Sequence, residues 1–196
     1  MLPLTPPLIL ASTSRYRRAL LDRLGLAYTA IPPACDEEAL KDPSLTPQAL
    51  AESLAEAKAA SLVAAHPGAL IIGSDQVCAV DNEVLHKPRT VARAVAHLER
   101  LQGRQHCLIT ALVVAQDGRR WRHTDITTLT MRPFERSALE RYVAVDQPLD
   151  CAGAYKLECR GIALFSGIAS DDHDAIVGLP LLALCRILVE AGCTLP

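Results

Sequence analysis

Leu8-Ile-Leu-Ala-Ser-Thr-Ser-Arg-Tyr-Arg-Arg-Ala-Leu-Leu-Asp-Arg-Leu24 decides how this chain is read. Leu8 to Ala11 has the length of a buried strand, and Ala19, Leu20, Leu21 and Leu24 recur at helical spacing. Three hydroxyls, Ser12, Thr13 and Ser14, lie between them. Ser14 is placed to cap the helix, because its side-chain oxygen can accept from a free N–H of the first turn. A strand that runs through small hydroxyl residues into a helix makes an anion seat: the helix start offers unpaired donors and a partial positive charge. Arg15, Arg17 and Arg18 then put cations where the helix dipole disfavours them, a local cost that a bound phosphate would offset. Exposed arginines are also ordinary solvated charges, so the motif by itself leaves both readings open.

Outward from this stretch, Tyr28 to Ile31 reads as a second strand, closed by Pro32-Pro33 and followed by the acidic loop Cys35-Asp-Glu-Glu38. Thr46 before Pro47 predicts a helix start, and the helix runs to about His66 with Lys58 flanked by alanines. Ala69 to Val80 is the strongest strand signal, apolar on both faces except at Gly73-Ser-Asp-Gln76. A carboxylate inside a buried strand is costly unless paired or bound to metal, so Asp75 calls for a partner. Gly73 beside it would let something approach the backbone closely. Asp81-Asn82 turns the chain back through Val84-Leu85 to Lys87-Pro88 on a loop. A helix over Thr90–Leu101, strands over 105–116 and Trp121–Met131 joined at Asp117-Gly118, and a helix over Glu135–Val145 come next. Thr124, Thr127, Thr128 and Thr130 suit an exposed sheet face. Beyond Leu149 the chain is loop-rich, with a short strand over Ile162–Phe165, an acidic turn at Asp171-Asp-His-Asp174 and a C-terminal helix from Val177 onward. This alternation predicts a mixed α/β fold of one domain over residues 1–196, without repeats or a separable linker.

Half of the 196 residues are hydrophobic and 4% are aromatic, so the core is large and aliphatic. A net charge of −2 argues against general binding to nucleic acid or a membrane surface. No apolar run is long enough to span a bilayer, and the stretch from Met1 to Pro7 lacks the marks of a signal peptide. Seven scattered cysteines without a C-x-x-C pair suit a reducing compartment, and the expectation is a cytoplasmic protein.

The polar residues that interrupt apolar elements, or sit at their ends, sort by charge. Arg17, Arg18, Lys58, Lys87 and Lys156 suit a polyphosphate, while Asp36, Glu37, Asp75 and Glu158 suit a hard divalent ion carried with it. Neither a G-x-x-x-x-G-K-[ST] nor a G-x-G-x-x-G motif is present, and no His/Cys cluster points to zinc. That leaves metal-assisted attack of water on a phosphoryl centre, with a carboxylate as base.

Ala11-Ser-Thr-Ser-Arg-Tyr-Arg-Arg18, Asp36-Glu37, Lys58-Ala59, Gly73-Ser-Asp-Gln76, Lys87-Pro88, Ala152-Gly-Ala-Tyr-Lys156 and Val177-Gly-Leu-Pro-Leu181 together resemble the signature of the Maf family, in order and almost end to end. The resemblance implies a nucleoside triphosphate pyrophosphatase that cuts between the α and β phosphates and needs a divalent cation, Mg²⁺ or Mn²⁺. It implies the two-lobed mixed-sheet fold shared with inosine triphosphate pyrophosphatases, an active site in the cleft between lobes, and a homodimer. Asp75 would be general base, with Lys87 also catalytic. Ser12, Arg17, Arg18, Lys58 and Lys156 would hold phosphate, and Glu37, with Asp75, would hold the metal. Tyr16, Gln76 and Glu158 resemble the branch acting on 7-methyl-GTP, whose cationic base an aromatic face and a carboxylate both favour. Tyr16 packing on its own helix and Glu158 pairing with an arginine are the plainer readings of those two. The alternatives are a pyrophosphatase directed at dTTP and UTP, or a non-catalytic nucleotide-binding regulator of septum formation. Arg15, His86, Ala111, Asp174 and Ala175 depart from the usual pattern.

Overall fold

The computed structural model describes residues 6–195; the signal-peptide reading falls mostly on residues 1–5, outside that range. The elements in order are β1 (Leu8–Ala11), α1 (Arg15–Asp22), β2 (Thr29–Ile31), α2 (Pro47–Val63), β3 (Leu70–Val80), β4 (Glu83–Leu85) and α3 (Val91–Leu101). After these come β5 (Gln105–Gln116), β6 (Arg119–Met131), α4 (Arg136–Asp146), β7 (Phe165–Ala169), α5 (His173–Val177) and α6 (Leu181–Glu190). The strand order is β2-β1-β3-β5-β6-β7, with β4 also pairing β3. β1 is parallel to β2 and β3, while β3–β4 and β6–β7 are antiparallel, so the sheet is mixed.

Two compact units emerge. The first holds the chain up to Asp75, Thr110–Asp125, and Asp172 onward. Here β1 and the Leu70–Ser74 part of β3 are buried on both faces, as the apolar runs Leu8–Ala11 and Leu70–Ile72 require. Leu8, Leu10, Leu70 and Ile72 pack with Leu20 and Leu21 of α1 and with Leu184, Ile187 and Leu188 of α6. The alternate residues Ile9, Ala11 and Ile71 pack with Leu62 of α2. The second unit holds Gln76–Ile109 and Ile126–Asp171, with α3 against α4. Its interior includes His106, Tyr155 and Phe165, whose ring centroids lie 4.9 to 5.8 Å apart.

The local signals account for most helix starts. Ser14, Thr46 and Thr90 cap α1, α2 and α3, and Pro47 opens α2. Three expectations fail. Residues 160–164 form a 3₁₀ turn and the strand begins only at Phe165, because the Gly161 N–H turns back to the Lys156 carbonyl. The C-terminal helix is two helices: Gly178 adopts φ +121° and Pro180 comes two residues later, which ends α5 before α6 begins. Thr127 is buried rather than exposed, and its hydroxyl donates to Ser170 Oγ. Among the described residues, no helix is long and apolar enough to cross a membrane.

Candidate active site

The first unit brings four charged side chains together. Lys58, on α2, is 6% exposed and sits between two carboxylates. Its Nζ lies 2.6 Å from Asp75 Oδ1 on β3 and 2.9 Å from Glu37 Oε2 on the loop after β2. Gly73 makes the crossing possible. A Cβ there would lie 2.6 Å from the Ala59 backbone nitrogen and nearer still to the Ala55 carbonyl. The close approach anticipated at Gly73 is therefore that of α2, and it delivers Lys58 to Asp75. The costly strand carboxylate finds its partner in a buried ammonium.

Arg17 of α1 is the fourth member. Burial pushes its pKa below the ordinary arginine value, and the negative charges of Asp75 and then Glu37 pull it back up. Its Nε donates to the Gly178 carbonyl at 2.8 Å, which also accepts from Ser74 Oγ at 3.1 Å. One bent carbonyl at the end of α5 thus orients the guanidinium and leaves its outer nitrogens to other partners. Ser12 is buried beside this start of α1, its Oγ accepting from the Ser14 N–H at 3.1 Å, while Arg18 is exposed. Ser14 Oγ caps the Arg17 N–H at 3.4 Å. Cys35 borders the cluster, but burial and Glu37 push its thiol pKa up, which disfavours a thiolate nucleophile.

Tyr16 does not present an empty ring. The Arg15 guanidinium carbon stands 4.8 Å from the ring centroid, and Arg15 Nη2 donates to Tyr16 Oη at 2.8 Å. Two of the unusual positions also acquire roles: Asp174 pairs with Arg23 at the end of α1, and the Ala175 carbonyl accepts from the buried Thr110 hydroxyl at 2.8 Å.

The second unit carries Gln76, Lys87, Lys156 and Glu158. Lys87 and Glu158 are exposed and Gln76 is half-buried. Lys156 is committed to backbone: its Nζ donates to the Asp146 carbonyl at 2.7 Å and the Gln147 carbonyl at 3.2 Å. Among the described residues, no group of three or more His, Cys, Asp or Glu side chains could hold a metal on its own. Asp75 and Glu37 nevertheless converge on one point, now the Lys58 ammonium, and two carboxylates completed by phosphate oxygens are a donor set that suits Mg²⁺ or Mn²⁺.

Sequence reasoning missed Ser74 and the Gly178 carbonyl. The usable signal was a small hydroxyl residue beside Asp75 in a strand otherwise apolar on both faces.

A mixed α/β protein thus sets a capped, arginine-bearing helix start beside a lysine-bridged carboxylate pair. The chain belongs to the Maf-like protein family, whose model matches residues 7–191. A Bdellovibrio bacteriovorus protein named 7-methyl-GTP pyrophosphatase is 50% identical over 94% of this chain and 97% of its own length. Proteins of the same name from Xanthomonas campestris pv. campestris (46% identical) and Bordetella pertussis (47%) each align over 97% of this chain, and over 99% and 96% of their own lengths. Among solved structures, a HAM1 protein from Coxiella burnetii aligns over 97% of this chain and 100% of its own, with a TM-score of 0.49 and 14% identity.

Proposed function

We propose that this protein is a nucleoside triphosphate pyrophosphatase that hydrolyses the α–β phosphoanhydride of 7-methyl-GTP, giving 7-methyl-GMP and pyrophosphate. The reading is supported by relatives of that name at 46–50% identity over nearly the whole chain. The observation that carries it is the contact of Lys58 with both Asp75 and Glu37 beside the half-buried Arg17.

In this reading Asp75 is the general base. Lys58 engages Oδ1 and leaves the other oxygen to take a proton from water. The water oxygen bonds to phosphorus at the α–β bridge, the bridging P–O bond breaks, and pyrophosphate leaves with the electron pair. Arg17, fixed through Nε, directs its remaining donors at phosphate oxygens, where charge develops. The Ser12 hydroxyl retains its proton to donate, and Arg18 adds an exposed cation at the same helix start. Lys87 is proposed as a further contact that stabilises the departing phosphate.

Two cations and two carboxylates make the inner cluster formally neutral, so it cannot by itself offset a triphosphate. A divalent ion would supply that charge and polarise the phosphoryl group, held by Glu37 and Asp75. Lys58, released from one carboxylate, would turn to the phosphates. For the base, Glu158 is proposed to accept from the guanine N1–H and N2–H, and Gln76 and Tyr16 are carried over from the family resemblance as further specificity residues. Seven unpaired cysteines suit the reducing cytoplasm. A homodimer, carried over from the family resemblance, is testable by light scattering.

The deciding experiment measures pyrophosphate release from 7-methyl-GTP, GTP, dTTP and UTP, with Mg²⁺ or with a chelator. The expected order places 7-methyl-GTP first, with no release under chelation. Preference for dTTP or UTP would move the protein to the other branch. Nucleotide binding without pyrophosphate release would favour a regulatory binding role.

A further inference from the structure

The segment Lys156–Arg160 carries Glu158 and is fastened at both ends to the last residue of α4. At one end, Lys156 Nζ donates to the Asp146 carbonyl at 2.7 Å, and the Lys156 backbone N–H donates to Tyr142 Oη at 2.9 Å. At the other, the Asp146 carboxylate accepts from the Arg160 N–H at 3.0 Å and from the Arg160 guanidinium at 3.2 Å. The Lys156 carbonyl closes the turn by accepting from the N–H groups of Cys159 and Gly161. Gly161 admits no side chain, since a Cβ would lie 2.9 Å from the Lys156 nitrogen and closer to its carbonyl. The tip of this turn, Glu158, is exposed and makes no hydrogen bond or ion pair among the described residues.

Asp146 needs explaining on its own account. Its side chain is 1% exposed, and it stands at the C-terminus of a helix, where the dipole disfavours an anion. A buried carboxylate in that position is retained where it organises other groups. The cation that the dipole does favour there is Lys156, which satisfies two of the carbonyls that a helix end leaves unpaired.

We propose that Asp146 and Lys156 form a two-ended clamp that holds the Glu158 turn rigid, so that Asp146 is a positioning residue for nucleobase recognition and Lys156 an anchor rather than a phosphate ligand. The assignment rests on the reading of Glu158 as the acceptor for guanine. Such a clamp raises affinity by removing the ordering cost of the turn at the moment of binding. Its signature is a change in KM for the methylated guanine nucleotide, with little change in kcat.

The test joins two readouts on the full chain. Asp146→Asn and Arg160→Ala are expected to speed amide exchange of residues 156–161 at least 10-fold. They raise KM for 7-methyl-GTP about 10-fold while kcat stays within about 2-fold, and kinetics on UTP change less. Lys156→Met should accelerate the same amides and Lys156→Arg should restore protection, because a guanidinium can reach the same carbonyls. Unchanged exchange in Asp146→Asn and Lys156→Met would overturn the clamp. So would a loss of kcat in Lys156→Met with its loop amides still protected, since Lys156 would then be acting on phosphate. If exchange accelerates while KM for 7-methyl-GTP stays at its wild-type value, the positioning role falls together with the reading of Glu158. If the wild-type protein releases no pyrophosphate from any nucleotide, the proposed function fails and the exchange comparison still decides whether the turn is clamped.

Discussion

Replacing Lys58 with Met keeps most of the side chain's length and removes its charge. Lys58 is 6% exposed and Asp75 14%, so their contact at 2.6 Å is nearly sheltered from water. Glu37 is 43% exposed, and solvent screens its share at 2.9 Å. Removing one partner of a buried pair typically costs about 3–5 kcal/mol, because the other charge is left uncompensated. With the Glu37 half discounted, about 2–3 kcal/mol remains. For a chain of this size each kcal/mol moves Tm by roughly 2–4 °C, so Lys58→Met should melt about 5–10 °C below wild type at pH 7. Adding Asp75→Asn should recover at least half of that loss, because the stranded charge is gone. Thermal melts monitored by circular dichroism on wild type, both single variants and the double variant close the cycle. If Lys58→Met melts within 2 °C of wild type, or the double variant is no more stable than Lys58→Met, the bridge does not hold the cluster as described.

The packing and the pKa shifts give two further expected outcomes. Gly73→Ala forces a methyl group into the Ala55 carbonyl and Ala59 nitrogen of α2, atoms that cannot swing aside. It should cost about 3 kcal/mol or more, read by urea denaturation, and separate Lys58 from Asp75 so that pyrophosphate release falls as well. His106 is 3% exposed, its Nε2 is 2.9 Å from Tyr155 Oη, and desolvation pushes its pKa from 6.5 down to about 4. Here the unfolded chain binds a proton that the folded one refuses, so stability is complete above pH 6.5 and declines as pH falls towards 4. About 3 kcal/mol is at stake, and His106→Gln should flatten that part of a Tm-versus-pH curve.

Much of the first unit was legible from residues alone. Ser14, Thr46 and Pro47 carry side-chain chemistry that specifies a helix start locally, and all three stand where they were expected. Asp75 was legible as an anomaly, a charge in an apolar strand, and an anomaly of that kind demands a partner. Its partner was not legible, because Lys58 lies 17 positions away and the pairing depends on α2 pressing against Gly73. The strand expected over Ile162–Phe165 failed for a similar reason. Its apolar letters were outweighed by a backbone hydrogen bond from Gly161 to Lys156, which periodicity does not encode. The two-helix C-terminus was written in Gly178 and Pro180, but the apolar spacing on either side of them reads as one continuous face. Tyr16 shows the limit of reading a residue by type: its ring suits a cationic base, and the structure shows a guanidinium from the next residue already over it.

The central claim is that Asp75 takes the proton from the attacking water. Asp75→Asn keeps the size of the side chain and an oxygen for Lys58, and removes the base. Single-turnover release of pyrophosphate from 7-methyl-GTP should then fall by about 10²–10⁴-fold, with nucleotide still bound and the protein still folded. Turnover near wild type in a folded Asp75→Asn protein would contradict the account.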